Sequence, residues 1–191
     1  MFDIKKHVLA TTFTVFALGG AHALAQDAPL AADGKLSKQE LAAILLTAEQ
    51  QLTLLAETAT KKYLPVIQEE GINMPKAWML MEDGETVKGI SLQGQAEGAP
   101  PEIRIVMYRS AIKSLARRGL INAAAILYAG TVAENDDTKA LVIEHEHRLG
   151  VSANKVVGYR KEKDRIVWGE PFTEKKPFEW FYEAKVTKNP S

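Results

Sequence analysis

The sequence predicts an α+β domain in which two helices lie against an antiparallel sheet, and three features predict it. Apolar residues recur at spacings of three and four from Leu41 to Tyr63, an Asp-Gly pair separates two short extended runs, and the second half of the chain is a succession of extended segments divided by polar turns. The chain has 191 residues, 46% of them hydrophobic and 25% charged, which is enough apolar material for one ordinary globular core.

The first residues have the pattern of a secretory signal peptide. Lys5 and Lys6 precede a largely apolar run from Val8 to Ala21, and Ala23-Leu24-Ala25 supplies the small residues at which such peptides are cut. Cleavage is expected after Ala25, so that residues 1–25 leave the mature chain. The run is too short and too rich in Thr and Gly to span a bilayer stably, and no later stretch is long enough. The product is therefore expected to be soluble in the periplasm or outside the cell, with no membrane insertion after cleavage. Residues 26–34 are aperiodic and read as a flexible leader, and 35–191 read as a single domain.

Ser37-Lys38-Gln39-Glu40 has the S-x-x-E spacing of a capping box, which predicts a helix start. Leu41, Ile44, Leu45, Ala48, Leu52, Leu55, Ala56, Ala59 and Tyr63 then form one apolar stripe; Pro65 is expected to bend or end the helix, and Gly71 to close any turn that follows. Ala77 to Glu82 and Glu85 to Leu92 are expected as two strands around Asp83-Gly84, since both turn residues tolerate positive φ. Gln93 to Pro101 reads as a loop. Glu102 to Arg118 reads as a second helix, with Ile103, Val106, Met107, Ala111, Ile112 and Leu115 inward, Arg109, Lys113 and Arg117 on a solvated stripe, and Gly119 at its C-terminal cap.

The remainder predicts an antiparallel meander of three to four strands: Asn122 to Val132, Ala140 to Leu149, Lys155 to Arg160 and Arg165 to Glu170, with Glu134 to Asp137, Gly150 to Asn154 and Lys161 to Asp164 between them. Both faces of the first of these runs are apolar, so it is expected to be a central strand covered on both sides. The aromatic cluster Phe178, Trp180, Phe181 and Tyr182 is expected to pack back on the domain. The order long helix, hairpin, second helix, meander resembles the profilin-like group of sensor and adaptor folds, including Roadblock-type and extracellular Cache-type modules. The resemblance lies in the succession of elements and transfers no residue.

Composition removes several function classes. Lys+Arg and Asp+Glu are both 24, so no overall field draws the chain to nucleic acid or to an anionic membrane. There is no cysteine, which excludes disulfides, thiol catalysis and thiolate-bound metal. No G-x-S-x-G, P-loop or G-x-G-x-x-G is present. S-x-x-K occurs at Ser110 with Lys113 and at Ser152 with Lys155, without the companion motifs of the serine hydrolases that use it.

The residues best able to carry chemistry stand together in Glu144-His145-Glu146-His147. On a strand, His145 and His147 share one face and the two glutamates the other. Two imidazoles at this spacing can bind zinc or copper if a third ligand joins them, and no segment has a diagnostic spacing for it. Glu144 and Glu146, with Cβ atoms roughly 6–7 Å apart at strand rise, match the separation of paired glycosidase carboxylates, but they share a face with Arg148 and are expected at the sheet surface. Tyr159 and Trp168, in adjacent strands, make either an aromatic ligand wall or a cross-strand packing pair. The resulting expectation is an exported, non-enzymatic module of the cell envelope. It binds a small molecule or an envelope protein through the sheet face near His145, His147, Tyr159 and Trp168, or through the loop Gln93 to Pro101. The alternative is a metal-binding protein or metalloenzyme that uses the His145/His147 pair.

Overall fold

The elements run α1 (Lys38–Gln68), β1 (Lys76–Met81), β2 (Val87–Ile90), α2 (Pro101–Arg117), β3 (Ile121–Thr131), β4 (Lys139–His147), β5 (Val151–Glu162) and β6 (Arg165–Lys175). The computed structural model describes residues 36–69, 74–92, 94, 96–131, 139–163 and 165–182. The expected signal peptide, its cleavage site, the leader, Gly71 and the Glu134 to Asp137 turn lie outside the described residues. The strands form one sheet in the order β2-β1-β3-β4-β5-β6, with every neighbouring pair antiparallel. The expected α+β class and order of elements are therefore present.

Each face of the sheet has its own core. Leu55, Ala59, Tyr63, Val66 and Ile67 of α1 pack on Trp78, Leu80, Ala123, Ala125, Leu127, Leu141, Ile143 and Tyr159. Tyr108 and Ile112 of α2, together with Trp180, pack on the other face against Ala77, Ile121, Ala124 and Ile126. β3 is thus buried on both sides, as its unbroken apolar run requires. Its four alanines let the helices approach closely, while each buried Leu or Ile contributes about 2 kcal/mol.

Several expectations are corrected. α1 continues through Pro65 to Gln68, because the turn beyond the proline is held at its end: Lys161 Nζ donates to Gln68 O at 3.3 Å and Glu69 O at 2.9 Å, satisfying carbonyls that the helix leaves open. At its other end Leu41 and Leu45 remain 47% and 46% exposed. Gln51 already contacts His147, the last residue of β4, so the turns before it project past the strands. α2 buries Tyr108 and Ile112, with Ile105, Leu115 and Ala116 beside them, whereas Ile103 and Val106 are 50% and 59% exposed. Apolar residues surround this helix, so the spacing rule admits two stripes, and the aromatic bulk of Tyr108 selects the one that fills the sheet.

The second hairpin strand is shorter than expected and the turn wider, since Asp83 Oδ1 accepts from the backbone N–H of Glu85 at 2.9 Å and of Thr86 at 2.8 Å, and Met81 N–H closes on Thr86 O at 2.9 Å. Gly84 supplies the positive φ, 74°. β5 begins at Val151 rather than Lys155, because Gly150 N–H bonds His147 O at 3.1 Å and reverses the chain within three residues. β6 continues past Glu170 to Lys175 and includes Pro171, which an edge strand tolerates because one row of its N–H groups has no ladder partner.

α2 ends in a Schellman motif. Leu120 N–H bonds Leu115 O at 3.3 Å, Gly119 N–H bonds Ala116 O at 3.0 Å, and Gly119 has φ 71°. Gly119→Ala is expected to lower the unfolding free energy by about 1 kcal/mol in urea titration, the cost of a Cβ in the left-handed region. An unchanged midpoint would show that the motif is not under this constraint.

Candidate functional site

β4 carries four polar residues in succession and is covered on both faces, so each needs a partner. On the α1 side, His147 is fully buried. Its Nδ1 accepts from Leu149 N–H at 3.0 Å, which leaves the proton on Nε2, and Nε2 lies 2.8 Å from Gln51 Oε1, an acceptor. Both nitrogens of His147 are engaged, and burial pushes its pKa down to about 4. His145 donates from Nδ1 to Ile143 O at 3.1 Å, and its pKa is also lowered, first by burial and then by Lys176 and Lys155. Only Nε2 of His145 is left to bind a metal, and among the described residues no group of three His, Cys, Asp or Glu side chains converges.

On the other face, Glu144 and Glu146 are 1% and 0% exposed, not at the surface as expected. α2 and a strap formed by residues 176–182 cover them. Glu146 Oε1 accepts from Lys176 Nζ at 2.6 Å and Glu179 N–H at 2.8 Å, and its Oε2 from Trp180 N–H at 2.9 Å and Phe181 N–H at 3.4 Å. Glu144 Oε2 accepts from Arg109 Nη2 at 2.9 Å, and Lys176 Nζ stands 3.4 Å from its Oε1. Arg109 thus reaches from the helix stripe on which spacing placed it to a buried carboxylate. The pair of carboxylates is closed in by two cations and three backbone N–H groups, so it ties the strap to the sheet and has no room for a sugar between its members. Lys176 also lies 4.7 Å from the centroid of the Trp180 ring, which is 2% exposed and completes the core beneath α2. The expected packing of the aromatic tail is present in Trp180, and Arg109 joins Glu144 while its side chain stays 40% exposed.

Tyr159 and Trp168 are register partners with ring centroids 5.6 Å apart and planes at 52°, a cross-strand pair in which Tyr159 is buried and Trp168 is 38% exposed. The four sequence candidates therefore share the α1 face of the sheet without converging. Tyr159 borders a small cavity with Lys139, Arg160, Lys161 and Glu162, and Trp168 borders a more apolar one. The latter is a groove of about 380 Å³ between α1 and β4–β6, with Ala56, Leu64, Leu141, Ile143 and Val157 as its apolar surface.

A larger cleft lies elsewhere, at the end of the sheet where β1 and β2 meet the segment before α2. It encloses about 640 Å³ and is lined by Trp78, Ile90, Leu92 and Tyr108, with Lys76, Glu97 and Arg104 among its polar groups. Its outer wall is held by hydrogen bonds: Arg104 donates from Nε to Ala99 O at 3.1 Å and from Nη2 to Ala96 O at 2.8 Å, and Ala99 N–H bonds Ala96 O at 3.1 Å. The loop Gln93 to Pro101, one of the two places named from the sequence, forms this wall; Gln93 and Gln95 lie outside the described residues. Arg104, Tyr108 and Gln51 carried no signal in the sequence, because their roles depend on segments far away along the chain. Comparison with family models, with curated proteins and with solved structures found no match.

Two outcomes test this assignment. Glu146→Ala leaves Lys176 facing the remaining carboxylate alone and frees one buried and two part-buried N–H groups, so urea unfolding is expected to show a loss of about 3–5 kcal/mol; a loss below 1 kcal/mol would place the strap outside the folded unit. His147 has a folded pKa below its unfolded 6.5, so the stability it confers is complete above pH 6.5 and is lost as pH falls toward 4. Unfolding measured between pH 7 and 4 is expected to fall less steeply in His147→Gln than in the parent, by up to about 3 kcal/mol. Parallel curves would show that His147 stays neutral in both states or charged in both.

Proposed function

We propose that the chain is a non-enzymatic binding module of the cell envelope that takes a small molecule in the cleft between the β1–β2 hairpin, the segment 91–99 and the start of α2. The observation that carries this reading is the cleft itself: about 640 Å³, walled by Trp78, Ile90, Leu92 and Tyr108, and braced before any ligand arrives by Arg104. Pockets of this size with aromatic walls and a few polar groups are what small-molecule sites consist of. A wall already hydrogen-bonded into place has little ordering entropy left to lose on binding. Ile90 and Leu92 offer apolar surface, edged by Trp78 and Tyr108, and Lys76 and Arg104 favour a ligand with an acceptor or a negative group at one end.

Two further points support a binder over an enzyme. The one carboxylate pair with hydrolase spacing, Glu144 and Glu146, is enclosed by the strap and α2. The cleft holds Glu97 and Ser91 but no histidine to activate a nucleophile. Export rests on Lys5, Lys6, the apolar run to Ala21 and the Ala23-Leu24-Ala25 site.

Native mass spectrometry of the gently purified protein, followed by thermal melting against a panel of small aromatic acids and their neutral analogues, tests the reading. A bound organic mass, or a compound that raises Tm as about 2.7 kcal/mol of linkage at a hundredfold excess over Kd requires, is expected for the parent and not for Ile90→Trp, which fills the cleft. Equal binding by Ile90→Trp and the parent would move the site elsewhere, and turnover of a bound compound would overturn the non-enzymatic reading.

A further inference from the structure

We infer that the groove between α1 and strands β4–β6 is a second binding site, and that it takes an amphipathic monoanion, a free carboxylate with a long alkyl tail. The first observation is a violation of pattern on β5. Ala153, Lys155 and Val157 point to one face by strand alternation, and Lys155 stands opposite Ile143, which is buried beneath α1. A lysine therefore occupies a position that core packing would give to an apolar residue, and such local departures mark sites of function.

The second observation concerns where the cations go. Lys176, the inward lysine of the other face, has two carboxylates, and Lys161 caps the end of α1. Lys61, on the α1 wall of the groove, and Lys155, on its floor, have no ion pair among the described residues. Glu57 is the one carboxylate in the lining, so the groove has an excess of one positive charge. Between the two lysines the surface is apolar, formed by Leu64, Leu141, Ile143 and Val157, and Trp168 borders it with a ring held in place by Tyr159.

Apolar area rewards burial of a tail at about 25 cal/mol per Å², and two ammonium groups in the lining reward one anionic head. A dianion leaves a charge unpaired, and a neutral alkane leaves both lysines without a partner. The groove is concave, with helix above and sheet below, so it suits a single dissolved molecule rather than a flat lipid surface.

Isothermal titration of the full chain with monomeric dodecanoate tests this, with dodecanol supplying the same tail without the charge and acetate the charge without the tail. One dodecanoate per chain is expected, with dodecanol weaker by about tenfold or more and acetate not detected, since a charge-assisted hydrogen bond is worth about 1.5–3 kcal/mol. The double variant Lys61→Gln/Lys155→Gln is expected to bring dodecanoate to the affinity of dodecanol. Thr60→Trp, which fills the groove, is expected to abolish binding with its thermal transition retained, while Ile90→Trp, which fills the separate cleft, is expected to bind normally. Equal affinity for dodecanoate and dodecanol, or loss of binding in Ile90→Trp alone, would overturn the proposal. So would co-sedimentation with anionic phospholipid vesicles in the absence of any dodecanoate binding.

Discussion

A strand buried on both faces has nowhere to send a polar side chain, and β4 sends four in a row into that situation. The organisation of the whole protein answers this constraint. Toward α1, His147 is held in one neutral tautomer between Leu149 N–H and Gln51, and the contact sets where the helix crosses the end of the sheet. Toward α2, Glu146 gathers Lys176 and three consecutive backbone N–H groups, and Glu144 draws in Arg109. A buried carboxylate without such partners would be strongly unfavourable, and removal of any one partner leaves the others desolvated. The chain after β6 is therefore folded back over the sheet by the charge chemistry of β4 as much as by the apolar surface of Trp180.

The same constraint moves the open space to the margins. The middle of the sheet is filled: β3 is closed by alanines and two helices, and each residue of the polar run of β4 has at least one protein partner. Two of the cavities among the described residues lie where an element runs off the sheet: one at the end of β1 and β2, where Arg104 braces the segment leading into α2, and one beneath the C-terminal half of α1, beside the irregular register of β5 and β6 between Val157 and Tyr159. Sites at the margin of a rigid two-cored sheet can take a ligand without disturbing the core.

Periodicity was a good guide to the elements and a poorer guide to which side of each would be buried. The stripe of α1 was legible because Ala48, Leu55, Ala59 and Tyr63 are apolar at one phase, although Leu46 and Leu54 lie exposed off it. In α2 the rule admits both Ile103 with Val106 and Tyr108 with Ile112, and a spacing rule has no means of choosing between two apolar phases. Alternation on β4 separated the histidines from the glutamates correctly. It could not show that the glutamate face would be roofed over, since the roof comes from residues about 30 positions later.

Local sequence determined the α+β class, the order of the elements, the Asp83-Gly84 turn, the Gly119 cap and the two-sided burial of β3, because each depends on residues within a turn or two of one another. Tertiary structure alone decided that Arg109 would reach Glu144, that Lys161 would carry α1 past Pro65, that Glu144 and Glu146 would hold a strap instead of facing a substrate, and that cavities would lie beside Trp78 and Trp168. Those outcomes are long-range pairings between opposite charges and between shapes, and in an unfolded chain nothing distinguishes a lysine that will meet a carboxylate from one that will face water.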